Sequence, residues 1–121
     1  MEIRESAQDY LEAILVLEKE KLNVKSVDVA SHMCVTKQSV HRAMKNLKEG
    51  GHILISDKGY ITLSDSGRSI AEDTYMKHNI LSNFFISLGV DKSIAYSDAC
   101  KIEHDISDES FEAIKKLMSK K

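Results

Sequence analysis

Apolar residues recur at helical spacing through Tyr10, Ala13, Ile14 and Leu17, which predicts a helix from a cap at Ser6 to about Glu20, its buried stripe flanked by Asp9 and Glu12. Lys21 to Lys25 breaks the period. Ser26 is then expected to cap a short helix through Met33, with Val27, Val29, Ala30 and Met33 as apolar contacts, and Cys34 and Val35 to make a turn. Thr36 caps the next helix, which turns Val40, Ala43, Met44 and Leu47 inward and Gln38, His41, Arg42 and Lys45 outward until Glu49-Gly50-Gly51 stops it. Beyond it the pattern changes to β-branched runs, Ile53 to Ile55 and Tyr60 to Leu63, on either side of Asp57-Lys58-Gly59, and these spell a small hairpin.

Ser64 and Asp65 open a long helix to about Leu88, ended by Gly89, with Ala71, Tyr75, Leu81, Phe85 and Leu88 among its apolar positions and His78 on or beside that face. Asp91 can cap a further helix through His104, and Ser107, followed by Asp108 and Glu109, opens a last one that ends in lysines suited to its dipole. Three helices and a hairpin make a winged helix-turn-helix. The three remaining helices are too apolar for a lone tail and suggest dimerisation. The expected fold is therefore mainly α, with a winged helix-turn-helix over 1–64 and a helical dimerisation domain over 65–121. The seam holds no flexible linker, so the long helix is expected to transmit movement between the two.

A chain of 121 residues that is 42% hydrophobic has enough apolar material for a core without staples. Its net charge of −2 excludes a protein that coats nucleic acid by bulk charge, so any such binding must come from a local patch. Thr36 to Lys58 holds five basic residues (Lys37, Arg42, Lys45, Lys48, Lys58) against Glu49 and Asp57, a local charge of +3. Gln38, Ser39, His41 and Arg42 lie early in the second helix of the motif, where side chains reach base edges, while Lys45, Lys48 and wing residue Lys58 suit phosphates. Thr36 and Lys37 at the start of that helix complete the expected DNA-binding set. An isolated charge run would be better read as the solvated face of a helix, but the surrounding motif and wing favour DNA. Two cysteines in dissimilar contexts, with no signal peptide or long apolar run, point to a soluble cytoplasmic chain with neither disulfide nor membrane segment.

Cys100, Glu103 and His104 are spaced i, i+3 and i+4, which on one helix brings thiolate, carboxylate and imidazole to a shared face. Taken singly, candidate ligands have ordinary explanations: His78 as a satisfied core histidine, Cys100 as a small hydrophobe, Glu12 or Glu103 as surface acids. As a set, Asp9, Glu12, His78, Cys100, Glu103 and His104 offer three carboxylates, two imidazoles and a thiolate. That mixture suits a first-row divalent ion at five or six coordination, with a carboxylate free to bridge two ions. It does not suit a closed structural zinc site, which takes four cysteine-rich ligands in paired spacings. Without metal, the acids Asp9, Glu12 and Glu103 repel where they converge; with metal, the first helix is pinned and DNA affinity follows occupancy. Two alternatives are a winged-helix DNA-binding protein indifferent to metal and a metalloenzyme. No glycine-rich phosphate loop or nucleophile motif supports the enzyme.

Across nearly its whole length the chain resembles the diphtheria toxin repressor and manganese transport regulator family of metal-dependent transcriptional repressors. The resemblance is carried by Ser6 to Ile14, Val27-Asp28-Val29-Ala30, Thr36 to Val40, Gly59 to Leu63, Lys77-His78, Leu88 to Asp91 and Asp98 to His104. It implies homodimers that bind a palindromic operator when loaded with Mn2+ or Fe2+ and shut down metal-uptake genes. Asp9 is similar to the manganese branch, where the iron branch tends to have methionine, whereas Cys100 is similar to the iron branch, where the manganese branch has glutamate. The primary site is thus mixed: the hard Asp9 favours manganese, the softer Cys100 favours iron, cobalt or zinc, and Co2+, Ni2+ or Zn2+ are expected substitutes. Ser82 and Tyr96 replace a glutamate and a histidine of the iron branch's ancillary site; separately, Gln38, in the first turn of its helix, stands where the family often has a proline. The resemblance is to the short form of the family, without an SH3-like third domain.

Overall fold

The computed structural model describes the backbone of residues 5–120 and the side chains of residues 7–120. Six helices and one hairpin follow in the order α1 (Glu5–Glu20), α2 (Ser26–Met33), α3 (Lys37–Glu49), β1 (Ile53–Ile55), β2 (Ile61–Leu63), α4 (Asp65–Ser87), α5 (Lys92–Ile102) and α6 (Asp108–Ser119). The chain divides into two compact units, the first ending at Glu72 and the second beginning at Asp73, so the division falls within α4.

In the first unit α1 packs on α2, α3 and β2, and α3 packs on β1. The periodic residues of each element form the core: Leu11 and Ile14 of α1, Val29 of α2, Val40, Met44 and Leu47 of α3, and Ile53, Ile61 and Leu63 of the hairpin are all buried. The hairpin pairs Ile53 with Leu63, Leu54 with Thr62 and Ile55 with Ile61, which alternates core and solvent positions as a half-buried ribbon requires. α3 ends where the two glycines stand. Gly51, at φ 78°, lets the His52 N–H return to the Leu47 carbonyl at 2.9 Å, a left-handed closure that a side chain at this position would strain.

Helix starts follow local capping chemistry. Thr36 accepts from the Ser39 N–H at 3.1 Å, Ser64 from the Gly67 N–H at 3.2 Å, and Ser107 from the Ser110 N–H at 3.1 Å. α1 is already helical at Glu5, one residue ahead of the expected cap Ser6, whose side chain lies outside the described residues. The expected Ser26 cap is corrected. Lys25 occupies the cap position because Asp28, three residues on, reaches back to accept its N–H at 2.8 Å, leaving Ser26 as the first helical residue.

That bond, with a 2.9 Å bond from the Lys21 ammonium, has a consequence in acid. Chiefly the Lys21 bond, then the Lys25 N–H, holds the Asp28 carboxyl below the usual carboxylate range. A depressed folded value means a contribution present above the ordinary range near 3.9 and lost as pH falls through the depressed one. Asp28→Asn is expected to cost about 0.5 kcal/mol at neutral pH, since Lys21 is largely exposed, and to flatten the acid limb of the stability profile. Urea melts at several pH values measure both; an unchanged acid limb would show that Asp28 contributes nothing there.

In the second unit Leu81 of α4, Ala99 of α5 and Phe111 of α6 form the core, with Met76, Ile80, Ile102, Ile106 and Ile114 against it. α4 stops at Ser87 and Leu88 is exposed beyond it, while Gly89 follows as expected. α5 departs from expectation at its end, closing at Ile102 and not at His104. Glu103 keeps helical angles and its N–H still bonds the Ala99 carbonyl, but Asp105 and Ile106 both turn back onto the Ile102 carbonyl, which closes the helix and starts the connection to α6.

Candidate metal centre and nucleic-acid interface

Glu103 is the most unusual side chain of the second unit. Its carboxylate is 1% exposed, and among the described residues neither oxygen accepts a hydrogen bond. What it faces is two imidazoles: Oε2 stands 3.3 Å from His78 Nδ1 and Oε1 stands 3.4 Å from His104 Nε2. A carboxylate taken out of water without donors costs several kcal/mol or more, so a chain keeps one only where something else balances the charge. The separations are long for a charge-assisted hydrogen bond, roughly 2.7–2.9 Å. A divalent cation held by Glu103, His78 and His104 would balance that charge.

Elements of the second unit supply the rest. Cys100, on the exposed side of α5 one turn before Glu103, brings its sulfur within 4.8 Å of a Glu103 carboxylate oxygen. His78 comes from α4, its ring 5.8 Å from that of Tyr96 on α5. His104, like Glu103, lies past Ile102, the last residue of α5. The turn that begins there still directs its ring at Glu103, with the side chain only 4% exposed. A buried carboxylate flanked by two imidazoles, with a thiol within 4.8 Å, is a donor set that fits a first-row divalent ion. Asp9 and Glu12 lie three residues apart on one face of α1 in the first unit, both half-buried.

One buried group in this region was not singled out for its environment in the sequence. Ser82, one helical turn beyond His78 on α4, is 1% exposed and its hydroxyl has no hydrogen-bond partner among the described residues. Nothing in a lone serine at that spacing signals burial.

The first unit presents the other candidate surface. Lys37, Gln38, Ser39, His41, Arg42 and Lys45 are all exposed on α3, and Lys58 is exposed at the hairpin turn. Thr36 is exposed too, but its hydroxyl is engaged: it caps α3 and donates to Ser39 Oγ at 3.0 Å, so its part in any interface includes fixing where the helix starts.

A winged helix-turn-helix with a basic outer face, joined to a helical unit that buries a carboxylate between two imidazoles, defines a DNA-binding protein built to answer to a metal ion. Residues 2–61 match the family described as iron dependent repressor, N-terminal DNA binding domain, and residues 64–120 match iron dependent repressor, metal binding and dimerisation domain. The chain is 32% identical over 117 residues to the transcriptional regulator MntR of Escherichia coli O6:H1, an alignment covering 97% of this chain and 76% of that one. It is 32% identical over 118 residues to the uncharacterised HTH-type transcriptional regulator MJ0568 of Methanocaldococcus jannaschii, covering 96% and 94%. Among solved structures it superposes with a TM-score of 0.83 and 28% identity on a manganese-dependent transcriptional repressor in complex with manganese, covering 93% of this chain and 52% of the other, about half its length. The chain belongs to the iron-dependent repressor family of metal-dependent transcriptional repressors. Among the described residues, no helix is long and apolar enough to cross a membrane.

Proposed function

We propose that Mn2+ or Fe2+ activates this repressor for binding to a palindromic operator in the cytoplasm. Asp9, Glu12, His78, Cys100, Glu103 and His104 are the ligand set, and the chain acts as a homodimer without turning over a substrate. Residues 1–64 read the DNA and residues 65–121 bind metal and dimerise. The observation that carries this reading is the Glu103 carboxylate, buried, without a hydrogen bond and aimed at two imidazoles. Its two oxygens face different rings, so Glu103, His78 and His104 would hold a cation together.

When bound, the cation supplies the positive charge that turns mutual repulsion among Asp9, Glu12 and Glu103 into attraction. The imidazoles of His78 and His104 and the sulfur of Cys100 supply donors that set the preferred ion, with Asp9 pulling towards manganese and Cys100 towards iron. Because Asp9 and Glu12 belong to α1, which packs on α2, α3 and β2, occupancy is felt by the DNA-binding unit as a fixed position of its first helix. In the second unit Leu88, Ile94 and Leu117 are more than half exposed, apolar surface of the kind that a second copy covers. Within the first unit, Gln38, Ser39, His41 and Arg42 meet base edges, Lys37, Lys45 and Lys58 meet phosphates, and Thr36 sets the start of α3.

Titration with Mn2+ or, anaerobically, Fe2+ while following binding to a duplex selected from a randomised pool tests this reading. Binding should appear with metal; binding indifferent to metal would leave a plain winged-helix protein, and turnover would indicate an enzyme. In the same assay Arg42→Ala should cost about 1–3 kcal/mol on the selected duplex and less on a scrambled one. Equal losses on both would reassign Arg42 to the phosphate backbone.

A further inference from the structure

The connection between α1 and α2 forms part of the wing. Val24 bridges antiparallel to Ile61, the Ile61 N–H donating to the Val24 carbonyl at 2.7 Å, so the segment before α2 lies along β2 as a one-residue third strand. Val24 is 2% exposed and anchors that pairing. The next residue, Lys25, is exposed, and its ammonium stands 5.4 Å from the centre of the Tyr60 ring. Tyr60 immediately precedes β2 and is two residues from Lys58 at the hairpin turn.

The nature of this contact matters. Lys21, nearby in sequence, is paired with the Asp28 carboxylate at 2.9 Å, which offsets its charge. The Asp28 carboxylate also feels the Lys25 charge, but its hydrogen bond goes to Lys21, so two ammonium groups share one carboxylate and a net positive charge remains. The Tyr60 face holds the Lys25 ammonium in place and removes part of the rotamer freedom that a lysine gives up on contacting a phosphate. Lys25 also opens α2, the first helix of the helix-turn-helix, which in this motif crosses the phosphate backbone while the second helix enters the groove. We infer that Lys25, positioned over Tyr60, is a phosphate-contacting group outside the recognition helix, and that with Lys58 it makes the wing side of the interface a two-ammonium grip on the DNA backbone. Tyr60 is a positioning residue in this arrangement. The inference rests on the DNA-binding reading above and extends it.

Salt dependence reads a phosphate contact directly. With metal-saturated protein, Lys25→Gln should reduce the slope of log K against log salt by about 0.9 on selected and scrambled duplexes alike, and Lys25→Arg should retain the wild-type slope. Tyr60→Leu should weaken binding about twofold to fivefold when Lys25 is present and leave Lys25→Gln unaffected. Thermal melts of each variant separate a loss of fold from a loss of contact: lowered melting with an unchanged slope would overturn the inference, as would equal Tyr60→Leu losses in both backgrounds. Arg42→Ala serves as the control. If it weakens binding while Lys25→Gln leaves the slope intact, the Lys25 assignment alone fails; if wild-type protein binds neither duplex at any metal concentration, the DNA-binding reading fails with it.

Discussion

Glu103→Ala is expected to abolish metal-activated DNA binding while leaving the metal-free protein at least as stable as wild type. The two halves of this result have one cause. In the folded chain the carboxylate is sealed from water and accepts no hydrogen bond among the described residues, so its removal relieves a desolvation cost of about 1–3 kcal/mol or more. The same removal takes away the anionic group lying between His78 and His104, which should lower metal affinity by more than about a hundredfold, or ~2.7 kcal/mol. Wild-type protein should melt higher as Mn2+ is added, because an ion that binds only the folded state stabilises it by mass action. Glu103→Ala should show no such rise. A variant that still melts higher with metal and still binds DNA on metal addition would remove Glu103 from the ligand set.

Gly67→Ala should be the most damaging small substitution in the first unit. A methyl group on Gly67 would run into the carbonyl oxygen of His52 and come within 2.9 Å of its carbonyl carbon. That carbonyl cannot swing aside cheaply: it accepts the Ser64 N–H at 3.1 Å, and the next residue, Ile53, is 1% exposed at the start of β1. Nor can the helix start, whose Gly67 N–H is bound to Ser64 Oγ, while Ser64 in turn donates to the Gly51 carbonyl at 2.7 Å. Alanine gains up to about 1 kcal/mol over glycine inside a helix, whereas overpacking against backbone costs about 3 kcal/mol or more at the severe end. The steric effect wins by about 2 kcal/mol, a fall in melting temperature of roughly 10 °C for a unit of this size. Calorimetry of the full chain decides; a neutral or stabilising result would mean that the start of α4 moves freely away from the hairpin.

The elements themselves were legible because their signals are local. Thr36, Ser64, Asp91 and Ser107 cap helices where a short polar side chain stands just before a helical repeat, and the paired β-branched runs register as the expected hairpin. Misreadings fell where two local signals competed. Ser26 has the better cap side chain, but Asp28 is placed to serve Lys25, and the backbone bond it accepts decided the boundary. α5 was expected to run to His104, but Asp105 and Ile106 turn onto the Ile102 carbonyl and end it two residues sooner, although Glu103 retains helical angles.

What residue order alone determined was the inventory: which helices form, which side chains able to hold a divalent ion are present, and where positive charge collects on an acidic chain. These depend on residue type and on neighbours three or four positions away, the range over which capping and amphipathic periodicity act. Tertiary packing decided the rest. That Glu103 is walled off from water between two imidazoles, that Val24 pairs with Ile61 and brings Lys25 to Tyr60, and that Gly67 touches the His52 backbone all involve partners far apart in sequence. Burial and close approach arise only once separate elements are packed together, which no local pattern of residues encodes.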